Sequence, residues 1–175
     1  MKVGIISDTH KKLGRAKKAI DMLCEKGIEF LVHAGDIVRE ELLEYIQSKN
    51  IRYVAVLGNN DHHLLSVMDR YELVTEPFYF KLANKTWKLM HYPRYMFPLD
   101  TDIIVYGHTH DVDITFNGKN LILNPGEVCA RDHGFSSCMT LDIEQNRYTV
   151  TLFYRKVGEK EWKNKTKEFI LTERG

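Results

Sequence analysis

Three short apolar runs, Met1–Ser7, Ile28–His33 and Ile51–Leu57, are separated by two segments whose apolar residues recur at helical spacing. The first such segment carries Ala16, Ala19, Ile20 and Leu23 and is stopped by Gly27; the second carries Leu42, Leu43 and Ile46. The runs are short enough to be strands and apolar enough to be buried. A β-α-β-α-β order leaves few folds open, because it demands parallel strands joined by right-handed crossovers. The rest of the chain predicts antiparallel pairs. Phe78–Leu82 and Thr86–Met90 flank Asn84-Lys85, and Cys138–Ile143 and Tyr148–Tyr154 flank Glu144–Arg147. Val112–Phe116 and Asn120–Leu123 flank Asn117-Gly118, which predicts a type I′ hairpin turn. Ile103–Tyr106 is a further apolar strand, and the charged stretch after Lys156 predicts an edge strand at Phe169–Leu171. The expected class is α/β with a large mixed sheet, or two sheets packed together.

A length of 175 residues fits one domain. No apolar run is long enough to cross a membrane, and Asp8 interrupts the first run too early for a signal peptide. The three cysteines, Cys24, Cys129 and Cys138, are too few and too scattered for a disulfide framework or a zinc knuckle, so a cytoplasmic location is expected. With 25 basic against 24 acidic residues, the chain lacks the basic footprint of a duplex-binding protein.

The chemistry-bearing residues follow strand ends. Asp8 and His10 follow the first strand, Gly35-Asp36 the second, Gly58-Asn59 with Asp61 the third, His91 the run ending at Met90, and Gly107-His108-Thr109-His110 the run ending at Tyr106. Ligands of parallel sheets bind beyond the carboxyl ends of strands. Each fragment alone has an ordinary reading: a helix cap with a surface histidine, a turn, or a satisfied core histidine. Their recurrence at one structural position points to a joint metal site.

The order Asp8-x-His10, Gly35-Asp36, Gly58-Asn59-x-Asp61, His91, Gly107-His108-x-His110 resembles the calcineurin-like metallophosphoesterase superfamily. The likeness runs from Met1 to about Gly126 and is nearest to the small single-domain bacterial and archaeal phosphodiesterases. It implies a single metallophosphoesterase domain over residues 1–175, built as two facing mixed β-sheets flanked by helices in an α-β-β-α sandwich. It implies that Asp8, His10, Asp36 and His110 hold one cation. Asp36, Asn59, His91 and His108 would hold a second, with Asp36 bridging. Carboxylate, amide and imidazole ligands suit Mn²⁺, Ni²⁺, Fe²⁺, Co²⁺ or Zn²⁺, with Mn²⁺ or Ni²⁺ favoured. The implied reaction is in-line attack of a metal-bridging hydroxide on a small phosphodiester substrate. Asp36, Asn59, Asn60 and Asp61 are the expected catalytic group.

Three positions depart from the family pattern. Asn60 stands where many members have a histidine assigned to the leaving group, and an amide is no general acid near neutral pH. His62 and His63 read as solvent-exposed, and His33 as a core residue or one supporting the ligands from behind. Tyr92 stands where glycine is usual, which would narrow the phosphate pocket, and Glu127 follows Asn124-Pro125-Gly126 where serine is common. Loss of one cationic donor favours diesters over monoesters. Arg94, Arg131 and Lys11 read as solvated surface cations, with phosphate contact as the alternative; Asp100, Asp102, Asp111 and Asp113 read as turn and surface residues. Two other readings stand beside the diesterase: a protein-binding scaffold of the same fold, and a nuclease for short or single-stranded nucleic acid. Oligomeric state is left open, with a homodimer among the options.

Overall fold

A computed structural model of the chain describes residues 1–171, so residues 172–175 of the expected domain span lie outside the described part. The first half runs β1 (Lys2–Ile6), α1 (Leu13–Glu25), β2 (Phe30–His33), α2 (Glu40–Ser48), β3 (Arg52–Val56), β4 (Leu73–Val74), β5 (Phe78–Leu82) and β6 (Lys85–Leu89). It is followed by β7 (Ile103–Val105), β8 (Val112–Phe116), β9 (Leu121–Pro125), β10 (Phe135–Ile143), β11 (Arg147–Lys156) and β12 (Lys163–Ile170). Two mixed sheets result, one ordered β12-β11-β10-β1-β2-β3-β4 and the other β5-β6-β7-β9-β8. The parallel β1-β2-β3 core required by the sequence pattern is present, and β10 joins it antiparallel to β1.

Strand alternation builds two cores from one sheet. Val3, Ile5, Val32, Val54 and Val56 pack with Trp87, Leu89, Val105 and Leu123 of the second sheet. The alternate residues Ile6, Leu31, Tyr53 and Ala55 turn to the opposite face, under Ala16, Ile20 and Leu23 of α1 and Leu43 and Ile46 of α2. Each fully buried aliphatic side chain contributes about 1.5–3 kcal/mol. The second sheet's outer face is covered thinly: Tyr95, Met96 and Leu99 lie over Met90, Ile104, Tyr106 and Ile122, and its only helical element among the described residues is the 3₁₀ turn Pro93–Tyr95. Buried Lys88 pins that cover, donating to the Pro98 carbonyl at 2.6 Å and pairing with Asp100 at 2.6 Å.

Two expectations are corrected. The type I′ turn is at Ala83-Asn84, not Asn117-Gly118. Leu82 pairs with Lys85, leaving a two-residue loop in which both residues have positive φ. Asn117 instead opens a four-residue loop between Phe116 and Leu121, its side chain accepting from the N–H groups of Lys119 and Asn120. The edge strand is also longer than the Phe169–Leu171 segment, spanning Lys163–Ile170 along β11. Its exposed lysines hide it from an apolar search, and such charges keep an edge strand from pairing with another chain.

Candidate metal centre

All of the expected ligands lie in loops at one end of the sheets, five of the seven in strained backbone. Asp8, His10, Asp36, His108 and His110 all have positive φ, between 44° and 70°. Non-glycine residues adopt that region only where surrounding contacts impose it, and such strain collects at functional sites. The imposing contacts are backbone hydrogen bonds between loops. Asp8 N–H donates to Gly35 O at 3.0 Å, His10 N–H to Asp36 O at 2.9 Å, Cys129 N–H to Asp8 O at 3.0 Å and Gly107 N–H to His91 O at 3.1 Å. Glycine is needed where the loops touch. A Cβ on Gly58 would collide with the backbone N and Oδ1 of Asp36, and one on Gly107 with Ser7 Oγ and the Ala34 carbonyl.

The loops bring the ligand atoms into two adjoining groups. In the first, Asp8 Oδ1 lies 3.1 Å from His110 Nε2 and 3.8 Å from His10 Nε2, and the two imidazole nitrogens are 3.5 Å apart. In the second, Asn59 Oδ1 lies 3.0 Å from His91 Nε2 and 3.1 Å from His108 Nδ1. Asp36 stands between them, with Oδ2 3.5 Å from His10 Nε2 and Oδ1 3.5 Å from His91 Nε2. Atoms that share one cation at about 2.1 Å and near right angles are about 3 Å apart, so these separations suit shared cations. Asp8 supplies a further sign of fit. Its Oδ2 accepts from Ser7 Oγ at 2.6 Å and from His108 N–H at 3.1 Å, whereas buried Oδ1 has no hydrogen-bond donor. A buried anionic oxygen without a partner is costly, and a cation relieves that cost.

Supporting contacts fix which ring nitrogen faces inward. His91 Nδ1 donates to the Ala34 carbonyl at 2.8 Å, which leaves Nε2 as the lone-pair atom. His110 Nδ1 lies 3.0 Å from Glu127 Oε2 and 2.7 Å from Asp132 Oδ2. Neither approach is aligned as a hydrogen bond, so the two carboxylates act on His110 chiefly by charge. Burial pushes the Asp8 carboxyl up, but the approach of His110 and the charge of His91 bring it below the ordinary range. Burial lowers His10 against the pull of Asp36 and Asp8. Burial and the neighbouring His91 lower His108. His110 goes the other way, raised by its approach to Asp8, whereas neutral imidazoles and ionised carboxylates are the forms that bind metals.

The remaining expected site residues have other placements. Asn60 donates its side-chain amide to Asp36 Oδ2 and its backbone N–H to Asp36 Oδ1. Buried Asp61 accepts from the N–H groups of Ile37, Val38 and Gly58 at 2.7–3.0 Å, so it holds the Asp36 and Asn59 loops together. One of those donors, Val38, is itself strained at φ 63°. His62 is exposed at the start of a 3₁₀ segment, His62–Arg70, and His63 bonds the Val38 carbonyl. His33 is fully buried behind the site, against Thr9 and Gly35. The Tyr92 ring lies tilted 4.2 Å from the His108 ring and forms a wall of the second group.

Glu127 is the residue whose role sequence reasoning missed. It is buried, and accepts from the N–H groups of Arg131, Asp132 and His133 at 2.7–2.8 Å and from the Cys129 thiol at 3.0 Å. Its departure from the usual serine was the only signal. Burial and the Glu127 contact push the Cys129 thiol up to about 12, so Cys129 is a protonated structural donor and no thiolate ligand, although it lies near His110.

With this geometry, three comparisons bear on the chain. The family model for the calcineurin-like phosphoesterase superfamily domain matches residues 1–146. A Methanocaldococcus jannaschii protein named as a phosphodiesterase is 27% identical over 161 residues, covering 85% of this chain and 96% of its own. A solved archaeal phosphodiesterase is similar in fold at a TM-score of 0.73 and 24% identity, covering 95% of this chain and 99% of that one. Vps29 of Entamoeba histolytica, solved in complex with zinc, has a TM-score of 0.69 at 20% identity, covering 98% of this chain and 100% of that one.

Proposed function

The chain belongs to the calcineurin-like phosphoesterase superfamily, and from that premise we propose that it is a dinuclear, metal-dependent phosphodiesterase acting on small diesters. The observation that carries the two-metal reading is Asp36, whose Oδ2 faces His10 and whose Oδ1 faces His91. Asp8, His10, Asp36 and His110 would hold one cation, and Asp36, Asn59, His91 and His108 the other. Divalent cations bound there supply an acidified water and positive charge for the phosphoryl oxygens. Asn60 would act by clamping Asp36, and Asp61 by tying the loops. Without a side-chain acid at Asn60, diesters with good leaving groups are the favoured substrates. The ligand set is carboxylate, amide and imidazole, for which we favour Mn²⁺ or Ni²⁺ over Fe²⁺, Co²⁺ and the Zn²⁺ found with Vps29. No described helix is long and apolar enough to cross a membrane, and the three cysteines are unpaired, in keeping with a cytoplasmic enzyme. The scaffold alternative rests on fold likeness alone.

The test is hydrolysis by metal-stripped protein with each divalent ion restored in turn. Bis(4-nitrophenyl) phosphate should be cleaved faster than 4-nitrophenyl phosphate. A faster monoester would overturn the diester preference, and no turnover with any ion would overturn the enzymatic reading.

A further inference from the structure

A basic groove leads away from the metal centre. A cavity of about 790 Å³ opens beside His10 and Asn60 and is lined by Lys11, Lys12, Arg15 and Arg131. A second, of about 880 Å³, shares Lys11, Lys12 and Arg15 with the first and adds Lys18, Arg155, Lys156 and Lys160. The shared residues border both cavities, so the two adjoin as one basic trough. It runs from the first ligand group, along the start of α1, to the end of β11.

Apart from Arg131, which pairs with Asp132 at 3.1 Å, the charge in this trough is unmatched. Among the described residues, Lys11, Lys12, Lys18, Arg155, Lys156 and Lys160 form no ion pair. The single acidic side chain in the second cavity, Glu159, is turned to Lys163 at 3.6 Å. Arg15 is anchored on the Cys129 carbonyl, and Arg155 lies over the Trp162 ring. A chain with a formal charge of only +1 has therefore gathered seven cations along one wall, where each raises the cost of the next. The trough's lining holds no Phe, Tyr or Trp side chain on which a base could stack. It reads charge.

We propose that this trough is a subsite for a second phosphate group, so that the preferred diester carries a further phosphate on the arm beyond its scissile phosphorus. The inference rests on the diesterase reading for which phosphorus is cut, but the trough's affinity for phosphate does not. Lys and Arg contacts to phosphate are charge-assisted hydrogen bonds, and they weaken as salt screens them.

Two chromogenic diesters test this: thymidine 5′-(4-nitrophenyl phosphate), and the same compound bearing a 3′-phosphate. The second should be preferred at least about tenfold in kcat/KM at about 50 mM salt, with the ratio shrinking at about 300 mM. In the triple variant Lys18→Glu, Lys156→Glu, Lys160→Glu, whose three side chains are exposed, the ratio should fall to about one or below. A wild-type ratio near one, or a ratio unchanged in the variant, overturns the proposal. A dinucleoside tetraphosphate and a 5′-phosphorylated thymidine dinucleotide, run side by side, tell a polyphosphate chain from an oligonucleotide end as the source of the second phosphate. Binding of inorganic tripolyphosphate to metal-free protein separates the two readings. If it binds the wild type and is weakened at least about tenfold in the variant while no diester is cleaved, the trough stands and the hydrolase reading falls. Equal binding to both proteins overturns the trough.

Discussion

Asn60 grips Asp36 at both oxygens, with its side-chain amide 2.7 Å from Oδ2 and its backbone N–H 3.0 Å from Oδ1. A residue so engaged holds the carboxylate in place and has no acidic proton to give. With no acid at position 60, the proposed reaction is expected to release its leaving group unprotonated or protonated by water. Rates across a series of aryl methyl phosphates should fall steeply as the leaving phenol becomes less acidic. Asn60→His should flatten that slope by adding an acid, while costing metal affinity through the lost clamp. Parallel slopes for both proteins would show that position 60 is silent in proton transfer.

Asp36 turns one carboxylate oxygen toward His10 and the other toward His91. Asp36→Asn keeps the shape and its hydrogen bond to Asn60 N–H, but removes the charge shared by the two cations. Turnover should fall at least about a thousandfold, and metal content measured by mass spectrometry should drop at both positions together. Loss of a single metal equivalent would show that the carboxylate serves one position only.

The clustering of the candidate ligands was legible in the sequence because strand ends in a parallel sheet converge, and the motif residues recur at those ends. The parallel β1-β2-β3 unit was legible for the same reason, since uninterrupted apolar runs have few alternatives. What stayed hidden depends on long-range contacts. Strand β12 is polar and charged along nearly its whole length, and only its pairing with β11 makes it a strand. The turn at Ala83-Asn84 adopts positive φ at an alanine because the flanking strands impose it, whereas Asn117-Gly118, the better local signal, sits in a wider loop. Glu127 could not be assigned from sequence, since its partners are backbone N–H groups of the loop that follows and a histidine seventeen positions earlier in the chain.

Glu127 bears on His110 from the side opposite the ligand group, and it also ties together the loop through His133. Glu127→Gln preserves acceptor capacity on one oxygen and removes the negative charge behind the imidazole. Metal affinity at the first position should weaken about 10–100-fold, the usual cost of losing a supporting carboxylate. Stability should fall by about 1–3 kcal/mol, because the amide places donors against backbone N–H groups. Glu127→Asp, which restores the charge on a shorter arm, should recover part of the affinity. Isothermal titration with Mn²⁺ separates these outcomes, and unchanged affinity in Glu127→Gln would confine the residue to holding its loop.

His33 makes stability depend on pH. Its Nδ1 accepts from Gly35 N–H at 3.2 Å, so the neutral ring carries its proton on Nε2, 3.1 Å from Thr9 Oγ1. Protonation would set a second N–H against the Gly35 donor with no water to solvate the charge, and burial lowers the ring from its ordinary 6.5 to about 3. Between those two values the unfolded chain binds a proton that the native protein does not, so stability rises with pH across the window and is lost as pH falls below about 6.5. From about pH 7 to about pH 5 the loss from this one group is about 2 kcal/mol. Urea unfolding of metal-free protein at both pH values reads it directly, free of the protons that metal binding releases. His33→Gln removes the titrating group, so its stability should change less over the same interval than the wild type's by about that amount. Equal pH dependence in the two proteins would mean that the buried imidazole already carries its proton in the native state.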